Sequence, residues 1–207
     1  DVFILIPLVV LGVDQLLWER KPILYFLSLT ALFIQNYYFG FMTAIFTSLY
    51  FIVQITRNTD STVAFKQFLH FTFLSLLAGM TSSIMILPTY FDLTTHGEKL
   101  TKVSKMFTEN SWYMDLFAKN MIGAYDTTKF GSIPMIYVGL LPLLLSLLYF
   151  TIKEVPRRTR LAYGFLLIFV IASFYITPLD LFWQGMHAPN MFLHRYSWVL
   201  SVLICLL

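Results

Sequence analysis

Residues 22–56 read PILYFLSLTALFIQNYYFGFMTAIFTSLYFIVQIT, 35 positions without one formal charge. As a single helix this run would be about 52 Å long, because a helix rises about 1.5 Å per residue. A bilayer core is about 30 Å thick and takes roughly 20 residues. One helix is too long, so the run is predicted to fold as a hairpin. Gln35, Asn36 and Gly40 lie near its middle, where amides and a glycine suit a turn. The first half, 22–36, is short enough that it either crosses fully or is partly re-entrant.

The flanking sequence repeats the pattern. Residues 2–17 are apolar apart from Asp14 and Gln15, and end at Glu19-Arg20-Lys21-Pro22. Further apolar runs cover 65–91, with Pro88 near its end, then 130–152, 161–179 and a last one from about Tyr196. Over all 207 residues, 58% are hydrophobic and 12% charged. A soluble domain carries about 25% charged residues, so disorder is excluded and an ordinary water-soluble globule is disfavoured. The fold class is all-α: a polytopic transmembrane helix bundle of about seven spans or part-spans, forming one domain over 1–207. The start at Asp1 lacks a Met and a basic leader, and the end at Leu207 falls within an apolar run. The expectation is an internal fragment truncated at both ends.

Positive charge sets the orientation. Arg20, Lys21, Arg57, Lys66, Lys153, Arg157, Arg158 and Arg160 fall in three short connections, 18–22, 57–66 and 153–160. Such an excess marks cytoplasmic loops. All three lie inside only if 22–56 crosses twice, which supports the hairpin. Asp1 and the loop 92–129 are then outside, and that loop balances five lysines against five acids. Leu100, Val103 and Phe107, then Trp112, Leu116 and Phe117, recur at helical spacing, with Gly123 as a stop. They are expected to form short amphipathic helices on the outer interface, either functional or simply covering the bundle.

Phosphate loops, dinucleotide fingerprints, zinc spacings and nucleophile elbows are absent. The basic residues are not interleaved with aromatics, which disfavours a nucleic-acid partner. Polar residues instead gather at the expected outer helix ends. Arg195 stands where the last helix enters the bilayer, a costly place for a charge. Its planar fork suits a lipid phosphate; the alternatives are snorkelling to the interface or pairing with Asp180. His187 and His194 are suited to acid, base or donor roles, or to ordinary loop hydrogen bonds. Asn190 follows Pro189 and suits a turn or cap, Asn36 either satisfies the hairpin turn or meets a ligand, and Tyr137 suits an interfacial belt. Asp1 is an outer carboxylate. His70 and Asp14 lie at the inner ends; His70 is read as a bundle-facing or interfacial residue, and Asp14, near Arg20 and Lys21, as structural. Residues 36, 137, 187, 190 and 195 are expected to converge on one outward-facing cavity.

Several of these segments resemble the bacterial YfhO family of polytopic membrane proteins. They are residues 1–17 running into Lys21-Pro22, Asn36-Tyr37-Tyr38-Phe39-Gly40-Phe41-Met42, residues 131–139, and above all His187-Ala188-Pro189-Asn190-Met191-Phe192-Leu193-His194-Arg195-Tyr196-Ser197. His194 departs from the aromatic or less polar residue expected at its place, so no role is carried onto it. The resemblance implies a GT-C-type glycosyltransferase that takes a sugar from a polyprenyl-phosphate donor outside the cytoplasm. The implied acceptor is a cell-wall polymer such as teichoic or lipoteichoic acid. The resemblance places the main catalytic base upstream of Asp1, so the fragment alone is expected to be inactive. Arg195, His187, Asn190, Asn36, Tyr137 and Asp1 then stand as substrate-binding candidates. No metal ligand set is indicated, though Asp1 with another carboxylate would suit a divalent cation. The rival readings are a transporter or lipid flippase, and a scaffold for cell-wall assembly. A transporter would place its site at the midplane between inverted repeats. The sequence has no evident internal symmetry.

Overall fold

A computed structural model of the chain describes residues 2–58, 60–96, 106–108, 115–121, 123, 136–187 and 194–207. Among these the regular elements are helices, joined by one isolated β-bridge. They are α1 (Leu5–Asp14), α2 (Ile23–Gln35), α3 (Tyr37–Ile55), α4 (Ser61–Thr81), α5 (Ser83–His96), α6 (Asp115–Ala118), α7 (Leu140–Tyr149), α8 (Arg157–Tyr175), α9 (Thr177–Trp183) and α10 (Ser197–Leu206). A 3₁₀ turn before α1 and a π turn after it extend that helix to Val2–Glu19. Val2–Glu19, α3, α4 and α8 are long and apolar enough to cross a membrane, and α2, α7 and α10 are shorter apolar helices. These are the seven apolar segments that hydropathy predicts. The chain forms two compact units, Asp1–Glu98 and Lys99–Leu207.

In the first unit the uncharged run divides at a single residue. Asn36 is extended (φ −157°, ψ 101°), and its Oδ1 accepts from the backbone N–H groups of Tyr38 and Phe39, both at 3.1 Å. This satisfies donors that every helix start leaves open. The two arms then run antiparallel: Gly40 sits against Phe33, and Tyr25 further down reaches Thr47.

The same kind of pairing fixes the other directions. α1 runs parallel to α3, with the Phe3 and Phe39 rings 5.4 Å apart at one end. At the other end the Asp14 carboxylate accepts from the Tyr50 hydroxyl at 3.0 Å and from Gln54 Nε2 at 3.3 Å. α2 runs parallel to α4, through Tyr25 and Ser75 (2.7 Å) and then Ser82 donating to the Thr30 carbonyl (3.3 Å). The helices therefore alternate in direction. The connections after α1 and after α3 consequently share one end of the unit. Gln67 joins them there, donating to the Leu17 carbonyl at 2.9 Å and accepting from Asn58. Asp14 is thus held across the helix interface, while Lys21 pairs with Glu19 at 2.6 Å.

Packing is closest between α1 and α2. A Cβ on Gly12 would lie 2.6 Å from both Tyr25 Cα and Tyr25 N. Aromatic rings fill the interior, with Phe71 stacked on Phe51 at 4.2 Å and on Tyr25 at 5.2 Å. The run read as one segment over 65–91 breaks at Ser82, whose buried hydroxyl donates to Ala78 and Thr30 carbonyls. Helix α5 carries on past it, with Pro88 inside, as far as His96.

In the second unit α8 packs on α9 and α10, and α7 on α10. α8 ends at Ile176, which is extended (φ −107°, ψ 111°) ahead of Pro178 in the first turn of α9. Pro178 has no N–H with which to carry the α8 ladder on, but it suits the first turn of a new helix. The break leaves backbone groups open, and residues 106–108 close them. Thr108 N–H donates to the Tyr175 carbonyl and Thr177 N–H to the Met106 carbonyl, both at 3.1 Å. Phe107 is therefore in an extended bridge rather than in the amphipathic helix its spacing suggests. Leu116 and Phe117 do lie in a helix, the short α6, and Gly123 has the positive φ (79°) of a stop. Leu100, Val103 and Trp112 lie outside the described residues.

Candidate functional site

The corner where α8, α9 and α10 meet is built from residues 173–187 and 194–196. Asp180 falls in the first turn of α9 and is buried. Its Oδ1 lies 2.8 Å from Nδ1 of His194, which is itself buried. A carboxylate only accepts, so Nδ1 carries the proton in this contact. His194 is held in the left-handed region (φ 54°), which costs energy for a side chain with a Cβ. The hydrogen bond to Asp180 and the ring contacts around it hold that turn in place.

Tyr196 is also fully buried, and its hydroxyl donates to the Ser173 carbonyl at 2.7 Å. Trp183 Nε1 donates to Ser173 Oγ at 3.1 Å. The Tyr196 ring stacks on Trp183 at 5.3 Å and on Phe174 at 5.2 Å, and Phe174 meets His194 edge-on at 5.5 Å. Three helix ends are thereby tied together. Between the two buried anchors His194 and Tyr196, Arg195 is exposed. Residues 194–196 form a turn closed by the Ser197 N–H donating to the His194 carbonyl at 2.9 Å, which sets Arg195 at the head of α10.

The other predicted residues are placed as follows. His187 is exposed, just past a left-handed turn at Gly185 (φ 66°) and Met186 (φ 65°) that ends α9. It belongs to the same corner as Arg195. Tyr137 is 37% exposed and precedes α7 beside Gly139 (φ 99°). Asn36 lies in the first unit, where its side chain caps α3. Asn190 and Asp1 lie outside the described residues. Exposed His70 lies on α4.

Sequence reasoning passed over two features here. The Asp180–His194 pairing spans 14 positions, so no spacing rule reveals it. Gln184 ends α9 and is 3% exposed, with neither its Oε1 nor its Nε2 hydrogen-bonded. A buried amide without partners is uncommon, and a hydroxylated ligand or an ordered water satisfies such a group. Among the described residues no group of three or more His, Cys, Asp or Glu side chains is arranged to hold a metal ion.

Compared with known proteins, residues 1–207 match a family model described as bacterial membrane protein YfhO. Neither a curated protein nor a solved structure matches the chain.

Proposed function

This chain belongs to the YfhO family of bacterial membrane proteins, and from that premise we propose that it is part of a GT-C-type membrane glycosyltransferase. The donor is a polyprenyl-phosphate-linked sugar and the acceptor an extracytoplasmic cell-wall polymer such as teichoic or lipoteichoic acid. The observation that carries this reading is Arg195, exposed between two buried residues at the head of an apolar helix. Transfer from a lipid phosphate develops negative charge on the departing phosphate. A guanidinium fixed at the depth of a lipid headgroup stabilises that charge through paired N–H donors. His187 on the same corner suits a second donor to the phosphate. Gln184 suits a sugar hydroxyl, which both accepts and donates as the amide does. Tyr137 and Asn190 stand as further substrate-binding candidates of the second unit, and Asn36 and Asp1 as candidates of the first, with the loops at 18–22, 57–66 and 153–160 proposed to be cytoplasmic.

The test is glycosylation of the acceptor polymer in a deletion strain complemented with the intact protein at matched expression. Arg195→Ala is expected to lower transfer about 30- to 1000-fold, the effect of losing about 2–4 kcal/mol of stabilisation on a developing anion. Arg195→Lys restores it in part, since an ammonium keeps the charge and loses the fork. The loss falls on turnover more than on apparent donor affinity. Full transfer with Arg195→Ala would remove the phosphate role. Donor lipid that fails to cross the membrane, with transfer itself intact, would favour a flippase instead.

A further inference from the structure

Away from that corner, at the α7–α8 turn, the second unit has a cleft of about 460 Å³ lined by Phe150, Arg157, Arg160, Leu161, Gly164, Phe165 and Ile168. Its two ends differ in chemistry. Arg157 and Arg160 stand at the start of α8, in the most basic connection of the chain, where Lys153, Arg157, Arg158 and Arg160 face only Glu154 in charge. Below them Leu161, Phe165 and Ile168 are 63%, 73% and 65% exposed and lie on one helix face. Gly164 leaves the space between them open, since a Cβ there would meet only Phe150 Cε1, at 3.5 Å.

One arginine is already oriented. Arg160 Nη1 donates to the Phe150 carbonyl at 3.0 Å, which fixes the guanidinium across the turn between α7 and α8. Its Nε is buried without a hydrogen-bond partner. A buried donor of a cation left unpaired calls for an anion.

We infer that this cleft binds one anionic phospholipid, with its phosphate on Arg157 and Arg160 and an acyl chain along Leu161, Gly164, Phe165 and Ile168. Cationic groups at one end and exposed apolar side chains at the other match the two parts of such a lipid, and basic pockets of this kind between membrane helices hold headgroups. A soluble anion would leave the apolar wall uncovered. The site is separate from Arg195 and does not depend on sugar transfer.

The full chain, reconstituted in nanodiscs of phosphatidylcholine with graded phosphatidylglycerol, tests this by native mass spectrometry of the lipid it retains. Phosphatidylglycerol is expected to be retained at least 10-fold over phosphatidylcholine, with a preference that weakens as salt rises. Each of Arg157→Gln and Arg160→Gln lowers retention about 5-fold, while Arg158→Gln, outside the cleft, changes it less than 2-fold. Gly164→Leu keeps every charge and fills the space for the chain, and is expected to abolish retention. Glycerol phosphate without acyl chains is expected not to compete. Equal retention of both lipids by the unaltered chain, which needs no variant to fold, overturns the proposal. Unchanged retention in Gly164→Leu, or effective competition by glycerol phosphate, overturns it in favour of a phosphate site alone. An Arg158 effect equal to that of Arg160 overturns it in favour of a diffuse basic surface.

Discussion

Gln184 poses a sharp choice at the level of the single residue. A buried amide with no partner lowers stability, by about 1–3 kcal/mol for an unsatisfied polar group. Gln184→Leu is therefore expected to leave thermal stability in detergent unchanged or raised. If the amide serves the sugar, the same variant loses at least 10-fold in transfer. Stability and activity moving in opposite directions is the signature; an active, stabilised variant would leave Gln184 without a ligand role. The pair beside it behaves otherwise. His194→Ala strands the buried Asp180 carboxylate and is expected to cost about 3 kcal/mol, since breaking a buried pair leaves an uncompensated charge. The double variant with Asp180→Ala should cost less than the two single ones summed, which a double-mutant cycle of denaturation measures. Asp60 gives a pH dependence. It caps α4, and hydrogen bonds from the Thr62 hydroxyl and backbone hold its carboxyl below the usual 3.8. The capped state is favoured above that usual value and is lost as pH falls through the lower folded one. Amide exchange of residues 61–64, corrected for intrinsic rate, should show the first turn of α4 fraying over that interval. Asp60→Asn keeps an acceptor and removes the dependence.

Among the elements, α1 and α2 approach so closely that backbone, not side chain, opposes any addition at Gly12. Gly12→Ala must push the helices apart, at a cost of about 1–3 kcal/mol or more. Gly79 in α4 has nothing within 4 Å of a Cβ, and Gly79→Ala should be neutral or stabilising. Unfolding of both variants in mixed micelles distinguishes packing from a general sensitivity to substitution. The hairpin was legible because an uncharged run of 35 residues cannot be one span, and Asn36 offers the cap its second arm needs. The break at Ser82 was not, because a serine pair inside an apolar run carries no stop signal until Thr30 of another helix is brought alongside. Phe107 misled for a similar reason. Its spacing is helical, but the open backbone at Ile176 claims it. The Arg195 segment could be singled out from charge and depth alone. What holds it, His194 on Asp180 and Tyr196 on Ser173, joins residues 14 and 23 positions apart and leaves no local pattern.

For the whole molecule, the connections after α1 and after α3 share one end of the first unit, and the side of the membrane they face is open to direct measurement. The one cysteine, Cys205, can be replaced by serine to give a blank background. Single cysteines at Lys21 and Glu154 are expected to react with an impermeant maleimide only after permeabilisation, and one at Thr101 in intact cells. Labelling at Thr101 that requires permeabilisation would invert the topology. Asn36 bears on how such a chain is made. α2 has 13 residues, about 20 Å of helix, below the roughly 17 a spanning helix needs. With one residue between them, α2 and α3 offer no slack for separate entry. On the ribosome α2 is a poor guest for the bilayer until Tyr37–Ile55 has emerged behind it, so the partitioning unit is the pair, and the order of synthesis passes through a stage at which α2 waits.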